Sequence, residues 1–204
     1  AKVIAGGQTL MPVLRLRLAA PSVLVDLNRI DELRGVRDDG DSLVIGAMTT
    51  YYALLGNPLI SKHALLLADA TRTVADPQIR HRGTLGGNLS HADPAGDLSA
   101  PVLALEATMT VVGASGRRSI PVSEFFVDYF TTALQPDEIL TEIRVPKHTD
   151  WAAHYEKLHR VAQAWSIVAV AATVDVHQGT VRQARIALTN VAPVPTRARG
   201  VEEA

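Results

Sequence analysis

Two glycine-containing segments have residue types that could bind a charged ligand. The first is Ala5-Gly6-Gly7-Gln8-Thr9-Leu10, after an apolar run, and the second is Thr84-Leu85-Gly86-Gly87-Asn88. Paired glycines let the backbone adopt positive φ and direct several N–H groups at one anion, because no Cβ atom interferes. Such a turn can bind a phosphate or pyrophosphate, although glycine pairs also mark ordinary turns. Neither segment has the spacing of a Rossmann fingerprint or a P-loop.

The second glycine pair lies in a stretch, Asp76–Gly96, that is predicted to be a long irregular loop. Its polar side chains, with the aspartate that follows it, are Asp76, Arg80, His81, Arg82, Thr84, Asn88, Ser90, His91, Asp93 and Asp97. Long loops without regular structure are usually functional or disordered, and the apolar residues inside this one argue against disorder. Two glycine turns on separate elements could hold opposite sides of an extended ligand such as a dinucleotide.

Hydrophobic patterning and turn residues predict the elements that must position these segments. The predicted strands are Lys2–Ala5, Ser22–Asp26, Ser42–Gly46, Thr108–Val112, Arg117–Ile120, Glu138–Val145, Ala153–Arg160, Ser166–Asp175 and Val181–Asn190. The predicted helices are Leu10–Leu18, one from Thr49 or Thr50 to Leu55, Leu59–Val74, Leu98–Leu105 with Asp97 as its N-cap, and a first turn at Arg199–Ala204. The last three strands are predicted to form an antiparallel meander.

Composition excludes several classes of function. The net charge is −1, and the basic residues are scattered, so no footprint for nucleic acid or an anionic membrane is present. The longest apolar stretch, Ile167–Val174, is far shorter than the roughly 20 residues of a membrane span. There is no cysteine, which excludes disulfides and thiolate-bound clusters on this chain alone. No signal peptide is visible and we expect a cytoplasmic protein, with both termini of this chain truncated.

At this point the sequence resembles a known family. Ala5–Leu10 resembles the first FAD-binding motif of the FAD-binding (medium) subunits of the molybdenum hydroxylase family, and Asp76–Asn88 resembles the second. The continuation His91–Asp97 follows the family pattern almost residue for residue, and Leu188–Pro193 is similar to a segment of the family's C-terminal domain. Two long motifs in the right order make the resemblance specific.

The resemblance implies an α+β fold and a multi-subunit redox complex. A two-lobed PCMH-type FAD-binding domain is expected over residues 1–148, followed over 149–204 by the start of a CO dehydrogenase flavoprotein C-terminal-like domain, a small antiparallel sheet with helices. FAD is expected on this chain. The molybdenum cofactor and [2Fe–2S] clusters are expected on a large and a small partner subunit, assembled as a dimer of heterotrimers. Electrons would pass from the clusters to FAD and on to an external acceptor.

The resemblance also assigns roles to individual residues. Backbone N–H groups of Ala5–Thr9 would surround the pyrophosphate, with Leu10 completing the motif. From the second motif the cofactor-binding residues would be Thr84, Gly86, Gly87 and Asn88. Asp97 would bind the adenosine half, unless it is only a helix N-cap. Ile139 or Leu140 would pack on the cofactor. Lys157 would lie near the flavin, with a solvated strand lysine as the alternative.

Other residues receive structural interpretations. Arg80 and Arg82 are expected to tie the loop to carboxylates or carbonyls. Trp165 is expected in the core rather than over the flavin, because large aromatic side chains are highly buried on average. Tyr51 and Tyr52 are expected to be packing residues. No metal ligands and no catalytic acid or nucleophile are predicted. Two alternatives stay open: a stand-alone flavin oxidoreductase of the same fold, and a non-enzymatic assembly module.

Overall fold

The structure is a computed structural model that describes residues 1–204. Its first part consists of β1 (Lys2–Ile4), α1 (Leu10–Arg15), β2 (Leu24–Asp26), a 3-10 turn (Asp31–Leu33), β3 (Val36–Asp39), β4 (Ser42–Gly46), α2 (Tyr51–Leu55), α3 (Pro58–His63), α4 (Leu65–Thr73), α5 (Pro77–Arg82), α6 (Leu85–His91) and α7 (Ser99–Ala104). The second part consists of β5 (Thr108–Gly113), β6 (Gly116–Pro121), α8 (Val122–Phe125), β7 (Phe126–Asp128), β8 (Thr131–Thr132), β9 (Ile139–Pro146), β10 (Ala152–Leu158), β11 (Val168–His177), β12 (Thr180–Thr189), β13 (Thr196–Arg197) and α9 (Arg199–Glu202).

The N-terminal lobe is small and contains β1, α1 and β2. The two strands pair in parallel, with Val3 opposite Val25. A parallel pair needs a crossover connection, and α1 lies within it. Below this pair, Leu27, Leu33 and Met48 form a separate small apolar cluster. The first glycine segment is the loop between β1 and α1, so it is held at the edge of this lobe.

The larger lobe contains an antiparallel sheet in the order β3-β4-β9-β5-β6. Ile45 on β4 and Met109 on β5 both lie opposite Ile143 on β9, and all three side chains are fully buried. Helices α2, α3, α4, α6 and α7 contribute to the same core of 33 buried residues, whereas α5 has no buried residue. The α+β class and the two lobes agree with the prediction.

The C-terminal sheet is the antiparallel meander that the sequence predicts, in the order β10-β11-β12-β13. Gln178 and Gly179 connect β11 and β12 with φ angles of 51° and 79°, as a tight hairpin of twisted strands requires. Small side chains, Ala169, Ala171 and Ala187, face α4 and α7 and belong to the same core as the larger lobe. The apolar core is therefore continuous across residue 148.

Two predictions need correction, one of a single helix and one of an irregular loop. The predicted single helix Leu59–Val74 is broken at Ala64, whose ψ of 49° separates α3 from α4. The stretch Asp76–Gly96 is not irregular, because it contains α5 and α6. Each of these helices has a local start signal: Asp76 accepts a hydrogen bond from the Ile79 N–H group, and Thr84 accepts one from Gly87. The sequence patterns also do not predict the strand β3. None of the helices has the length and apolar character needed to cross a membrane.

A buried histidine joins the larger lobe to the C-terminal sheet. His148 Nδ1 lies 2.9 Å from the Pro146 carbonyl oxygen, so it carries the proton and donates. Nε2 then accepts from Arg185, at 2.6 Å, because a guanidinium group cannot accept. Burial lowers the pKa of His148 below its ordinary value of 6.5, and the Arg185 charge lowers it further. The contact requires the neutral imidazole.

We predict that His148 makes stability pH-dependent. Below about pH 6.5, His148 binds a proton in the unfolded chain but stays neutral in the folded protein. The free energy of unfolding therefore falls as the pH falls. In urea denaturation at about pH 7.5 and about pH 5.5, His148→Gln should lose less stability than the parent on acidification. The exposed His177→Gln variant is the matched control and should behave like the parent. An acid-induced loss in His148→Gln as large as the parent's would contradict the prediction.

Candidate functional site

A cleft of about 1520 Å³ runs between the two lobes. It is larger than the roughly 300–1,000 Å³ of typical small-molecule pockets, as an extended ligand requires. Most residues expected at the site line it: Ala5, Gly6, Gly7, Gln8, Thr9, Leu10, Thr84, Gly86, Gly87, Asn88, Asp97, Ile139 and Leu140. Lys157 is expected there too but lies behind the cleft wall.

The first glycine segment presents free backbone donors to the cleft. Gly7 has a φ of +76°, in the left-handed region that favours glycine. The N–H groups from Gly6 to Thr9 donate to no other group of the protein. The loop is held from behind by Asn28, whose side-chain amide donates to the Ala5 carbonyl oxygen at 3.1 Å. Consecutive N–H groups around a left-handed residue form a concave anion site, and this geometry fits a pyrophosphate.

The second glycine segment has a different structure from the turn that its sequence predicts. It is the first turn of α6, and neither glycine has a positive φ. Its N–H groups already have acceptors: Leu85 donates to Thr49 O, Gly86 to Ala47 O, Gly87 to Thr84 Oγ1 and Asn88 to Thr84 O. This segment therefore cannot offer the cleft the open row of donors that the first one does.

Glycine is needed in both segments because backbone packs on backbone. A Cβ atom at Gly6 would overlap the carbonyl oxygen of Arg82. At Gly86 it would lie 2.7 Å from the Ala47 carbonyl oxygen, and at Gly87 it would lie 2.7 Å from the Thr84 hydroxyl oxygen. The two motifs, some eighty residues apart in the chain, thus touch each other and form one wall of the cleft.

The second segment can contact a ligand through its side chains. Thr84 is almost fully buried, and its hydroxyl accepts from Gly87 but keeps its own proton free to donate. Asn88 lines the cleft beside Tyr51. Burial raises the pKa of the Tyr51 hydroxyl above its ordinary value, which keeps it protonated and able to donate.

Asp97 and Lys157 form a buried ion pair, with Nζ 2.8 Å from Oδ2. The other carboxylate oxygen, Oδ1, accepts from Tyr155 at 3.0 Å. Ser166 Oγ lies 3.0 Å from Oδ1 and 3.1 Å from the Ala95 carbonyl oxygen, so its single proton is shared between these two acceptors. These contacts correct the prediction of Asp97 as an N-cap and exclude the alternative interpretation of Lys157. The helix α7 has Leu98 as its N-cap, with no side-chain cap, so Asp97 is not the cap. Lys157 is not a solvated strand lysine, since its side chain is 4% exposed and needs a counter-charge.

Tyr155 and Ser166 were not among the predicted site residues. Tyr155 lies two residues before Lys157 on the predicted strand, so period-two spacing places both on one face. That spacing was the available signal for Tyr155. Nothing local identifies Ser166, which reaches Asp97 through a loop between two strands.

Apolar and aromatic side chains form the rest of the lining. Leu140 is buried and Ile139 partly exposed. The prediction of a core position for Trp165 is wrong: it is 58% exposed and lines the cleft, as does Phe130, which is 57% exposed. Trp165 is less buried than is usual for tryptophan because it lies in the loop before β11, in the lining of an open cleft.

Around the second motif, Arg80 and His81 have structural contacts, whereas the side chain of Arg82 forms no hydrogen bond or ion pair, contrary to its predicted role. Arg80 donates to the Val74 carbonyl oxygen at 2.8 Å and to Ala75 at 3.3 Å, which confirms its predicted role. His81 stacks on Tyr52, with ring centroids 4.0 Å apart. No group of three or more His, Asp or Glu side chains is arranged to hold a metal ion.

Comparison with known families identifies the class. Residues 1–148 match the family model described as the FAD binding domain in molybdopterin dehydrogenase. Residues 153–204 match the CO dehydrogenase flavoprotein C-terminal domain. The chain therefore belongs to the FAD-binding flavoprotein family of molybdopterin dehydrogenases, as its motifs predict. It is a subunit of a FAD-dependent oxidoreductase, and FAD is the cofactor of its family.

Within that class, the relatives are medium chains of multi-subunit dehydrogenases. The carbon monoxide dehydrogenase medium chain of Hydrogenophaga pseudoflava is 44% identical over 203 residues, which cover 98% of this chain and 70% of the relative. The glyceraldehyde dehydrogenase medium chain of Sulfolobus acidocaldarius is 36% identical over 98% of this chain and 71% of its own length. This chain is thus of the medium-chain type.

Solved structures agree with this assignment. Carbon monoxide dehydrogenase from Hydrogenophaga pseudoflava superposes with a TM-score of 0.96 at 43% identity, covering 98% of this chain and 70% of that one. Quinoline 2-oxidoreductase from Pseudomonas putida superposes with a TM-score of 0.94 at 32% identity, covering 99% and 70%. Enzymes with differently named substrates share this fold.

We predict that Gly86→Ala destabilises the protein by about 1–3 kcal/mol, because the added methyl group presses on the Ala47 backbone and weakens the hydrogen bond there. Gly200→Ala is the control, since no atom lies within 4 Å of a Cβ atom at that position and the residue is also helical. The control should be neutral or slightly stabilising. Urea denaturation measures both; an unchanged free energy of unfolding in Gly86→Ala would contradict the close contact.

Proposed function

We propose that this chain is the FAD-binding electron-transfer subunit of a molybdenum-containing hydroxylase or dehydrogenase complex. Its partners would be a large subunit with the molybdenum cofactor and a small subunit with [2Fe–2S] clusters, arranged as a dimer of heterotrimers in the cytoplasm. Electrons would reach this chain from the clusters and leave to an external acceptor. The division at residue 148, with FAD binding before it and a C-terminal domain after it, is part of the proposal.

One observation carries the proposal for this chain: the row of free N–H donors from Gly6 to Thr9 in the wall of a large cleft. A pyrophosphate is the doubly charged, elongated group that such a row suits. When bound, FAD supplies the redox chemistry, and the protein supplies binding, orientation and electrostatics. No nucleophile or general acid is needed from this chain.

The remaining proposed roles follow from position. Thr84 and Asn88 would donate through their hydroxyl and amide groups, while Gly86 allows the close packing of this segment on Ala47. Ile139 and Leu140 would contact the cofactor through the apolar part of the lining. Asp97 would accept from the adenosine half. Lys157 serves as the counter-charge of Asp97, so its positive charge is largely neutralised by that carboxylate.

The absence of cysteine supports the proposal that the iron–sulfur clusters and the flavin are bound by different subunits. Iron–sulfur clusters are held by cysteine thiolates, and this chain has none to offer. These 204 residues therefore bind no such cluster, which agrees with the proposed small subunit as the carrier of the clusters. Substrate oxidation would likewise take place at the molybdenum centre of the large subunit, so the relatives' different substrates are compatible with one flavoprotein fold.

We predict that Gly7→Ala weakens FAD binding by about tenfold or more, because an alanine resists the positive φ and the donor row loses its shape. The matched control is Gly40→Ala, which has a similar φ of +68° in a hairpin turn outside the cleft. It should cost comparable stability and leave the FAD dissociation constant unchanged. Flavin fluorescence titration measures the constant. Stoichiometric, parent-like FAD in Gly7→Ala would count against the proposed pyrophosphate site.

A tagged version of the chain, expressed in its native host, tests the partners. We expect molybdenum, iron and FAD to co-purify with it, measured by metal analysis and flavin absorbance. FAD without molybdenum or iron would support a stand-alone flavin oxidoreductase instead. Metals without FAD would support an assembly module. Either outcome would overturn the proposed role.

A further inference from the structure

Four buried side chains converge at the rear wall of the cleft. Asp97 lies at their centre, and it contacts Tyr155, Lys157 and Ser166 at distances between 2.8 and 3.0 Å. All four residues are less than 9% exposed. Asp97 alone among them lines the cleft. The other three therefore act on a ligand only through the Asp97 carboxylate.

A count of hydrogen bonds limits what Asp97 can do. An ionised carboxylate offers about four acceptor sites on its two oxygens. Tyr155 takes one site on Oδ1, Ser166 takes the other with a proton that it shares with the Ala95 carbonyl oxygen, and Lys157 takes one site on Oδ2. One site is left, so Asp97 can accept from a single further hydroxyl group rather than from a pair.

Tyr155 and Ser166 also decide how the carboxylate is oriented. Rotation about the terminal torsion of aspartate is soft, so an ion pair with a lysine does not by itself fix the plane. Two donors on the same oxygen do fix it. Burial, together with the Asp97 charge, raises the pKa of Tyr155 above its ordinary value, so its hydroxyl keeps the proton that it donates.

The donors belong to a different part of the chain from their acceptor. Tyr155 and Lys157 lie on β10, and Ser166 lies in the loop before β11. Ser166 is itself held by Asn190, whose side-chain amide donates to the Ser166 carbonyl oxygen at 3.0 Å. Asp97 precedes α7 in the larger lobe. The C-terminal sheet thus supplies the groups that orient a residue of the cleft.

We propose that Tyr155 and Ser166 are positioning residues for the cofactor: they fix the Asp97 carboxylate so that its one remaining acceptor site receives a hydroxyl of the adenosine ribose. This inference rests on the proposed function, since it takes FAD as the occupant of the cleft. It makes the affinity for FAD depend on the packing of the C-terminal sheet against the larger lobe. Tyr155 and Ser166 would not contact the cofactor themselves.

The test uses Tyr155→Phe and Ser166→Ala with two ligands, FAD and an FAD analogue without 2′- and 3′-hydroxyl groups on its adenosine ribose. The parent should bind the analogue about tenfold more weakly than FAD, the usual cost of a lost hydrogen bond to a charged group. Each variant should bind FAD several-fold more weakly than the parent, yet bind the analogue as the parent does.

The control removes a buried hydroxyl group away from the cleft. Thr173→Val, on β11, loses a hydrogen bond to the Ala152 carbonyl oxygen. It should keep parent-like affinities for the two ligands. Thermal denaturation without ligand shows whether each variant folds, and Ser166→Ala removes the smaller group should Tyr155→Phe unfold.

The outcomes separate the two levels of the proposal. Parent-like FAD affinity in both variants, or equal weakening for FAD and the analogue, would overturn the positioning role while leaving the proposed function intact. A parent protein that binds no FAD, alone or with its partner subunits, would overturn the proposed function and this inference with it.

Discussion

Backbone packs directly on backbone at Gly6 and at Gly86, and no larger residue fits at either position without displacing a carbonyl group. This contact brings the N-terminal loop against the chain that follows α5, and it sets α6 against the exit of β4. The cleft exists because these two contacts leave both motifs in one wall. The small lobe buries little of its apolar surface, since Leu16, Leu24 and Val25 are exposed, so its placement relies on this fit.

Two motifs that look alike in sequence have different physical roles in this wall. Gly7 provides a left-handed residue and with it a row of free donors, whereas Gly86 and Gly87 lie in a helix whose first donors are all satisfied. Charge recognition by the backbone is therefore concentrated in one loop, and the second motif adds a hydroxyl and an amide. Division of this kind suits a long ligand with one charged centre and polar groups on either side.

The buried pair of Asp97 and Lys157 joins the C-terminal sheet to the cleft. Removing either partner would leave an uncompensated charge in the core, which is far more costly than the net value of the intact pair. Tyr155 and Ser166 complete the hydrogen bonding that such a pair needs. Together with the continuous apolar core, this makes the sheet part of the site's structure rather than an appended unit.

Local patterns determined much of the fold: β4, the hairpin of β5 and β6, and the C-terminal meander follow from alternation and turn residues, which act over a few positions. The two motifs and the cofactor family were also readable from the sequence. Only the tertiary structure decided the exposure of Trp165, the break at Ala64, and the partners of Asp97. Those features depend on which distant side chains meet. The burial of a charge is decided by neighbours far away in the chain, as for Lys157 and Asp97, which are 60 residues apart.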